Sequence, residues 1–155
     1  MKQTIIIVAV VVVIVLGAVF LGKKDEASVG ATGSNNWYGQ ESGVVTISEY
    51  GDFQCPACAQ YFPVVTQVKE KFKDQIRFEF KHFPLVQIHP NATSAHRASQ
   101  AAANQNKFWE MHDLLYQNQN SWKDSTSPAG IFESYAKELD LNMDTYKVDY
   151  ASGAT

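Results

Sequence analysis

Cysteine is scarce in this sequence, with two residues among 155. Two thiols cannot build the disulfide framework of a small secreted domain, and they cannot fill a four-thiolate zinc or iron–sulfur site. Histidine does not supply the missing ligands, because the gaps between successive histidines are seven, seven and sixteen residues and do not fit zinc-ligand spacing. We therefore expect no cofactor and no metal, with a two-thiolate copper(I) carrier as the alternative. The histidines, each interpreted as structural, are His82, His89, His96 and His112.

Basic residues are also in short supply after the first 24 positions. Residues 25–155 contain ten lysines and arginines against 16 acids, which gives a net charge of −6. Binding to a phosphate backbone is therefore disfavoured. The apolar fraction of 45% and the aromatic fraction of 12% are too high for an intrinsically disordered chain. The length fits one folded domain.

One long uncharged run, IIIVAVVVVIVLGAVFLG, occupies residues 5–22. As a helix it would be about 27 Å long, which matches the hydrocarbon core of a bilayer. A cleaved export signal usually has a shorter apolar core, followed by small residues at the cleavage site. We therefore predict a transmembrane anchor within residues 1–22, with a signal sequence as the alternative. Lysines flank the run on both sides, so charge alone does not predict its orientation.

Residues 23–43 are rich in Gly, Ser, Asn and charge and show no periodicity, so they are predicted to form a flexible linker. The folded domain is expected to cover residues 44–155. Its first segments, GVVTISEY and IRFEFKHFP, have the β-branched and aromatic pattern of strands. Apolar residues at three- and four-residue spacing from Cys55 to Phe72 predict a helix between them, with Lys69 in a charged group at its far end. A strand–helix–strand unit is usually parallel and right-handed.

The remainder of the chain has a helical pattern. Alanines from Ala95 to Ala102 mark one helix, the segment around Phe108 marks a second, and Pro128 opens a third. A short turn is expected after Asn142. The domain is therefore of the α/β class.

The two cysteines form the motif Cys55-Pro56-Ala57-Cys58 at the junction of the first strand and the helix. At the start of a helix, free backbone amides and the positive end of the helix dipole stabilise a thiolate, which is the reactive form. Cys58, one turn later, is within disulfide reach and suits a resolving role. The alternatives are a plain structural disulfide and two core cysteines.

The segments GDFQCPACAQYFP, FKHFPLVQIHPNA, AHRASQAAA and KFWEMHDLLYQNQNSW together resemble the DsbA-like branch of the thioredoxin superfamily. The resemblance implies a thioredoxin-like fold with a helical insertion, and a redox-active Cys55–Cys58 disulfide in which Cys55 attacks. It implies thiol–disulfide exchange on cysteine-containing exported proteins, in the periplasm or its equivalent outside the cell membrane. A membrane redox partner would recycle the disulfide. Disulfide formation is the expected direction, and a reductase, an isomerase or a non-catalytic tethered binding domain are the alternatives.

Further residues are assigned a role by the same resemblance. Glu49 stands where the family tends to bury an acid beneath the disulfide, and Lys81 is its expected partner. Such an acid would take the proton of Cys58 during resolution. Pro63 stands where the family has a kinking proline in this helix. Pro56 and Ala57 support the site, although Ala57 replaces the histidine found in strongly oxidising members and removes a cation that would stabilise the thiolate.

The family pattern continues beyond the helical insertion with a β-hairpin and a last helix. We find neither in this sequence, and they would need roughly 35 to 40 further residues. The domain is therefore expected to be a C-terminally incomplete version of the fold.

Overall fold

The computed structural model describes residues 36–40 and 45–153. The predicted anchor at residues 1–22 and most of the predicted linker lie outside the described residues, as does Val44. Among the residues described, no helix is both long enough and apolar enough to cross a membrane.

The described strands form a three-stranded mixed sheet in the order β1-β3-β2. Strand β1 is Trp37–Gly39, β2 is Val45–Gly51 and β3 is Ile76–His82. Strands β2 and β3 are parallel, so the predicted parallel pairing is confirmed. Strand β1 runs antiparallel to β3 on its other side.

Strand β1 lies inside the predicted linker, so the prediction that the domain begins at residue 44 is wrong. Three residues are too few to show a strand period, and tertiary contacts hold this strand in place. The backbone carbonyl of Trp37 accepts a hydrogen bond from the Trp109 indole at 2.9 Å. Gly39 has a φ of +92°, and a Cβ there would lie 2.5 Å from the Ile76 carbonyl oxygen, so only glycine fits.

Helix α1, Pro56–Phe72, connects β2 to β3 and contains Pro63, as predicted. The predicted helices also form, as α2 (Ala92–Ala103), α3 (Phe108–Gln117) and α5 (Ala129–Glu138). A four-residue helix, α4 (Gln119–Trp122), was not predicted.

The expected short turn after Asn142 is instead helix α6, Met143–Ser152. The Asn142 side chain accepts a hydrogen bond from the Thr145 amide at 3.0 Å and so caps the start of this helix. Gly153, in the left-handed conformation, ends it.

The core lies between the inner face of the sheet and the helical half of the domain, which we define as α2 to α6. Alanines on one face of α2 allow α3 and α6 to approach closely, and aromatic rings fill the remaining space. This packing places the start of α1 against the helical half. The largest buried apolar side chains are Phe53, Phe80, Met111, Leu115, Trp122, Phe132 and Tyr146.

Three histidines are packed among these rings. The Nδ1 atoms of His82 and His96 lie 2.6 Å apart, so one nitrogen donates a hydrogen bond and the other accepts it. The accepting nitrogen carries no hydrogen, so at least one of the two rings is neutral. Burial lowers the pKa of His96 to about 3 and that of His112 to about 4. Burial also lowers the pKa of His82.

We predict that these histidines make the fold sensitive to acid. The unfolded chain binds protons on them below about pH 6.5, whereas in the folded domain His96 and His112 bind protons only near pH 3 to 4, so the free energy of unfolding should fall as the pH drops below 6.5. Each histidine contributes a slope of up to about 1.4 kcal/mol per pH unit. Urea denaturation at pH 7.5, 6 and 5 measures this slope. A His112→Gln variant should show a shallower one, and equal stability of the wild type at pH 7.5 and pH 5 would contradict the prediction.

Candidate active site

The site is built at the junction between β2 and α1. Gly51 ends the strand, where a Cβ would lie 2.4 Å from the Phe80 ring and would not fit. Cys55 is the N-cap residue of α1, in an extended conformation with φ −68° and ψ 122°, and Pro56 follows at the start of the helix. The structure thus places Cys55 at the helix N-terminus, where the sequence put it, with no capping hydrogen bond from its side chain.

Cys58 lies one turn further along α1, and both cysteines are half-buried free thiols. Burial raises the pKa of Cys58 to about 11, and the neighbouring Cys55 and Glu49 add to the increase, while a hydrogen bond to the backbone of Asp52 opposes it. Cys58 is therefore protonated at neutral pH and needs a proton acceptor before it can attack a disulfide. Pro56 and Ala57, between the two cysteines, are exposed.

Glu49 lies on β2, on the inner face of the sheet, opposite Phe80 on β3. Burial raises the pKa of this carboxyl, and the positive charge of Lys69 opposes the increase. Among the described residues, none hydrogen-bonds its buried Oε2 atom. A half-buried acid that acts electrostatically on Cys58 suits the predicted role of proton acceptor.

Lys81 does not partner Glu49, so this predicted pair is wrong. The register of the sheet places Lys81 opposite Tyr50 and Glu49 opposite Phe80. Because side chains alternate between faces along a strand, Lys81 and Glu49 lie on opposite faces. Lys81 instead lies 3.8 Å from a Glu79 oxygen and 5.5 Å from the centre of the Tyr50 ring.

The cation near Glu49 comes from α1. Lys69 is 4% exposed, the most buried residue of that helix. In the sequence, Lys69 stands among charged residues at the end of the helix, and no pattern indicates that its side chain is buried.

The sequence also missed a group of polar residues that fixes the loop before Cys55. The buried carboxylate of Asp52 accepts hydrogen bonds from the amides of Gln54 at 2.8 Å and Leu85 at 2.9 Å. The Nδ1 atom of His89 lies 2.6 Å from the same carboxylate. Asp52 thereby connects this loop to the segment that follows β3.

Side-chain amides attach the same loop to the helical half. Gln119 donates hydrogen bonds to the carbonyls of Phe53 at 2.7 Å and Cys55 at 3.0 Å. Gln54 donates to the Lys123 carbonyl at 2.7 Å and accepts from the Asn91 amide at 2.6 Å. A side chain outside α1, that of Gln119, therefore holds the carbonyl of Cys55 in place.

A groove of about 680 Å³ opens beside Cys55. Its lining combines apolar residues, among them Pro56 and the 69%-exposed Ile88, with polar ones. The lining residues are Gln54, Pro56, Ile88, His89, Pro90, Asn91 and Lys123 to Thr126. Among the residues described, no group of three or more His, Cys, Asp or Glu side chains could hold a metal ion.

Solved structures with a similar fold include DsbA proteins. Alpha-DsbA1 of Wolbachia pipientis is 19% identical with a TM-score of 0.64, over 74% of this chain and 58% of that one. BdbD of Bacillus subtilis in its oxidised form is 22% identical with a TM-score of 0.64, over 76% of this chain and 65% of that one. At these identities, the similarity shows the fold.

Among curated relatives, a segment of the Na(+)/H(+) antiporter NhaA 1 of Salinispora arenicola is 41% identical to this chain over 109 residues. That segment covers 70% of this chain and 16% of the relative. This chain therefore spans about a sixth of the length of that protein.

The profile of the thioredoxin family matches residues 31–151, which is most of the chain and includes every described residue of the site. The chain belongs to the thioredoxin family, and its fold is similar to that of alpha-DsbA1.

Proposed function

We propose that this protein carries out thiol–disulfide exchange on cysteine-containing exported proteins, through a redox-active Cys55–Cys58 disulfide. The observation that carries the proposal is the contrast between the two thiols. Cys55 is the N-cap residue of α1, next to the free backbone amides of the first helical turn. Cys58 is held protonated behind it by burial.

The exchange takes place in two steps. A substrate thiolate attacks the sulfur of Cys55, a mixed disulfide forms, and Cys58 leaves and takes up a proton. A second substrate thiolate then attacks the substrate sulfur of the mixed disulfide. The substrate leaves oxidised, and Cys55 and Cys58 are left as thiols. A membrane redox partner would return them to the disulfide.

Disulfide formation is the proposed direction, and reduction or isomerisation uses the same motif at a different redox potential. The proposed location is the outer side of the cell membrane, with residues 5–22 as the anchor. The similar segment in a relative named as a Na(+)/H(+) antiporter supports a membrane location, because antiport takes place across a membrane.

The cysteine pair provides the direct test of this proposal. Cys55→Ser should abolish exchange. Cys58→Ser should accumulate mixed disulfides with exported proteins, because exchange is reversible: Cys55 still attacks a disulfide of such a protein, and no Cys58 thiol is present to displace the bound protein. Non-reducing gels and mass spectrometry of trapped complexes measure both results. Ala57→Ser, which changes the residue between the cysteines, is the control and should trap nothing. A Cys58→Ser protein without mixed disulfides would reject the enzyme and leave a binding or copper-carrying domain.

We also predict that Ala57 limits the oxidising strength of the protein. Ala57→His places a ring beside Cys55 that is charged at pH 6, stabilises the thiolate and favours the reduced protein. We expect the reduction potential to rise by about 30 mV for each tenfold shift of the disulfide–dithiol equilibrium toward the dithiol. The rise should be larger at pH 6 than at pH 8. The control, Gln60→His, places the same ring at an exposed position further from the helix start. An unchanged or lower potential in Ala57→His would show that this helix start does not respond to charge.

The groove beside Cys55 leads to a third prediction. If it holds the polypeptide around a substrate cysteine, Ile88→Ser should raise the KM for a peptide dithiol several-fold and leave the rate with dithiothreitol unchanged. Val148→Ser is a matched control, because Val148 and Ile88 are both 69% exposed and Val148 does not line the groove. Equal effects of Ile88→Ser on the peptide and on dithiothreitol would exclude the groove from substrate binding.

A further inference from the structure

His89 borders the groove beside Cys55 and contacts a buried carboxylate. Its Nδ1 atom lies 2.6 Å from Oδ2 of Asp52. The amides of Gln54 and Leu85 donate hydrogen bonds to the two oxygens of the same carboxylate, which therefore acts as an acceptor toward His89 as well. Nδ1 of His89 thus carries a hydrogen, and Nε2 has a free lone pair in the neutral ring. A carboxylate that fixes the tautomer and orientation of a histidine in this way prepares it to act as a base.

Hydrogen bonds fix the segment that carries His89. The carbonyl of Leu85 accepts from the amides of Ile88 at 3.0 Å and His89 at 2.9 Å, so these residues form a tight turn. The side chain of Asn91 donates to three carbonyls within residues 122–125, at 2.8 to 3.1 Å. Two parts of the groove lining are therefore held in place.

Two histidines lie near Asp52, and His89 is the more exposed of them. Nε2 of His96 lies 3.9 Å from Oδ1 of Asp52, but the His96 side chain is 1% exposed, and burial lowers its pKa to about 3. The His89 side chain is 14% exposed. None of the described residues hydrogen-bonds its Nε2 atom. His89 is therefore the histidine of this pair that has a nitrogen available to take up a proton.

The titratable groups that face His89 come from three parts of the chain. Asp52 lies in the loop before α1, His96 is on α2, and Lys123 and Asp124 follow α4 and line the same groove. Asp52 is in direct contact with the ring, and a hydrogen bond between an imidazolium and a carboxylate is strengthened by charge. Asp52 therefore stabilises His89 once the ring has taken up a proton.

The thiol of an incoming substrate needs such a proton acceptor. A free cysteine has a pKa of about 8.5, so only about 3% of it is thiolate at pH 7. Gln54 and Pro56, on either side of Cys55 in the chain, line the groove together with His89. A thiol that approaches Cys55 from this groove therefore enters the cavity that His89 borders.

We propose that His89, oriented by Asp52, is the general base that takes the proton from the substrate thiol in the first step of exchange. This inference rests on the function proposed above. The thiol proton moves to Nε2 of His89, the substrate sulfur bonds to the Cys55 sulfur, and the Cys55–Cys58 bond breaks. Cys58 leaves with the electron pair of that bond and takes up a proton. His89 then returns its proton to water.

The experiment uses the full chain with Cys58→Ser, in which dithiobis(nitrobenzoate) loads Cys55 as a mixed disulfide. A thiol that attacks the Cys55 sulfur releases thionitrobenzoate, and stopped-flow absorbance measures the rate. Two thiols are compared at pH 7. Glutathione is mostly protonated at this pH and needs a base, whereas para-mercaptobenzoate is largely ionised and does not.

His89→Asn is the decisive variant, because the asparagine amide can still donate to Asp52 while the base is lost. The attack of glutathione should slow about tenfold, within the limit of about thirtyfold that complete ionisation of the thiol would allow. The attack of para-mercaptobenzoate should change less than about twofold. At pH 9.5 the effect on glutathione should nearly vanish, because this thiol then ionises without a base.

Gln87→Asn is the matched control. Gln87 is an exposed residue of the same segment and does not line the groove, so this variant should match its parent with both thiols.

Equal slowing of both thiols in His89→Asn would reveal a structural effect on Cys55 and overturn the inference, as would an unchanged rate with glutathione. Slowing of glutathione by Asp124→Asn and not by His89→Asn would assign the base to Asp124 and also overturn it. If His89→Asn does not fold, His89→Gln gives the same comparison. Failure of dithiobis(nitrobenzoate) to load Cys55 would reject the proposed function itself, which is a different outcome.

Discussion

Hydrogen bonds from the helical half of the domain hold the loop that carries Cys55. The loop residues before Cys55 are buried, so their polar groups cannot form hydrogen bonds with water. A buried polar group without a partner costs about 1–3 kcal/mol, and here Gln119, Asn91 and the Asp52–His89 pair provide those partners. The position of the thiol at the start of α1 therefore depends on helices that follow it in sequence by more than 30 residues.

Burial also makes the two cysteines chemically different. Cys55 stands at the free end of a helix, whereas Cys58 lies where α1 packs against the core. A protonated Cys58 requires an acceptor, and burial raises the pKa of the Glu49 carboxyl, which acts electrostatically on Cys58. The positive charge of Lys69 opposes that increase, and three aromatic rings surround its ammonium group.

The sequence predicted the elements whose residues repeat with a clear period. Strands β2 and β3, helix α1 and the alanine-rich α2 have such periods, and the CPAC motif located the reactive junction within one residue of the observed helix start. Strand β1 could not be predicted, because three residues carry no period and the strand forms by pairing with β3. Helix α6 was underestimated, since its residues form no apolar stripe and its start is fixed by the Asn142 cap.

The errors at the site have a different cause. Lys81 was assigned to Glu49 from its position along the chain, but the one-residue offset in register places it on the other face of the sheet. Lys69 stands in a run of charged residues, and its burial depends on rings contributed by β1, β3 and α3. The partners of Asp52 and Gln54 are likewise distant in sequence. Local patterns do not encode such contacts.

Burial keeps Cys58 protonated, whereas Cys55 lies at the start of α1 and is the thiol that reacts with substrates. The most direct measurement is the rate at which iodoacetamide modifies each cysteine of the reduced full chain at pH 7, with the two sites separated by mass spectrometry of peptides. Cys55 should be modified at least about tenfold faster, since the pKa of Cys58 is raised to about 11. Equal rates, or faster modification of Cys58, would contradict it.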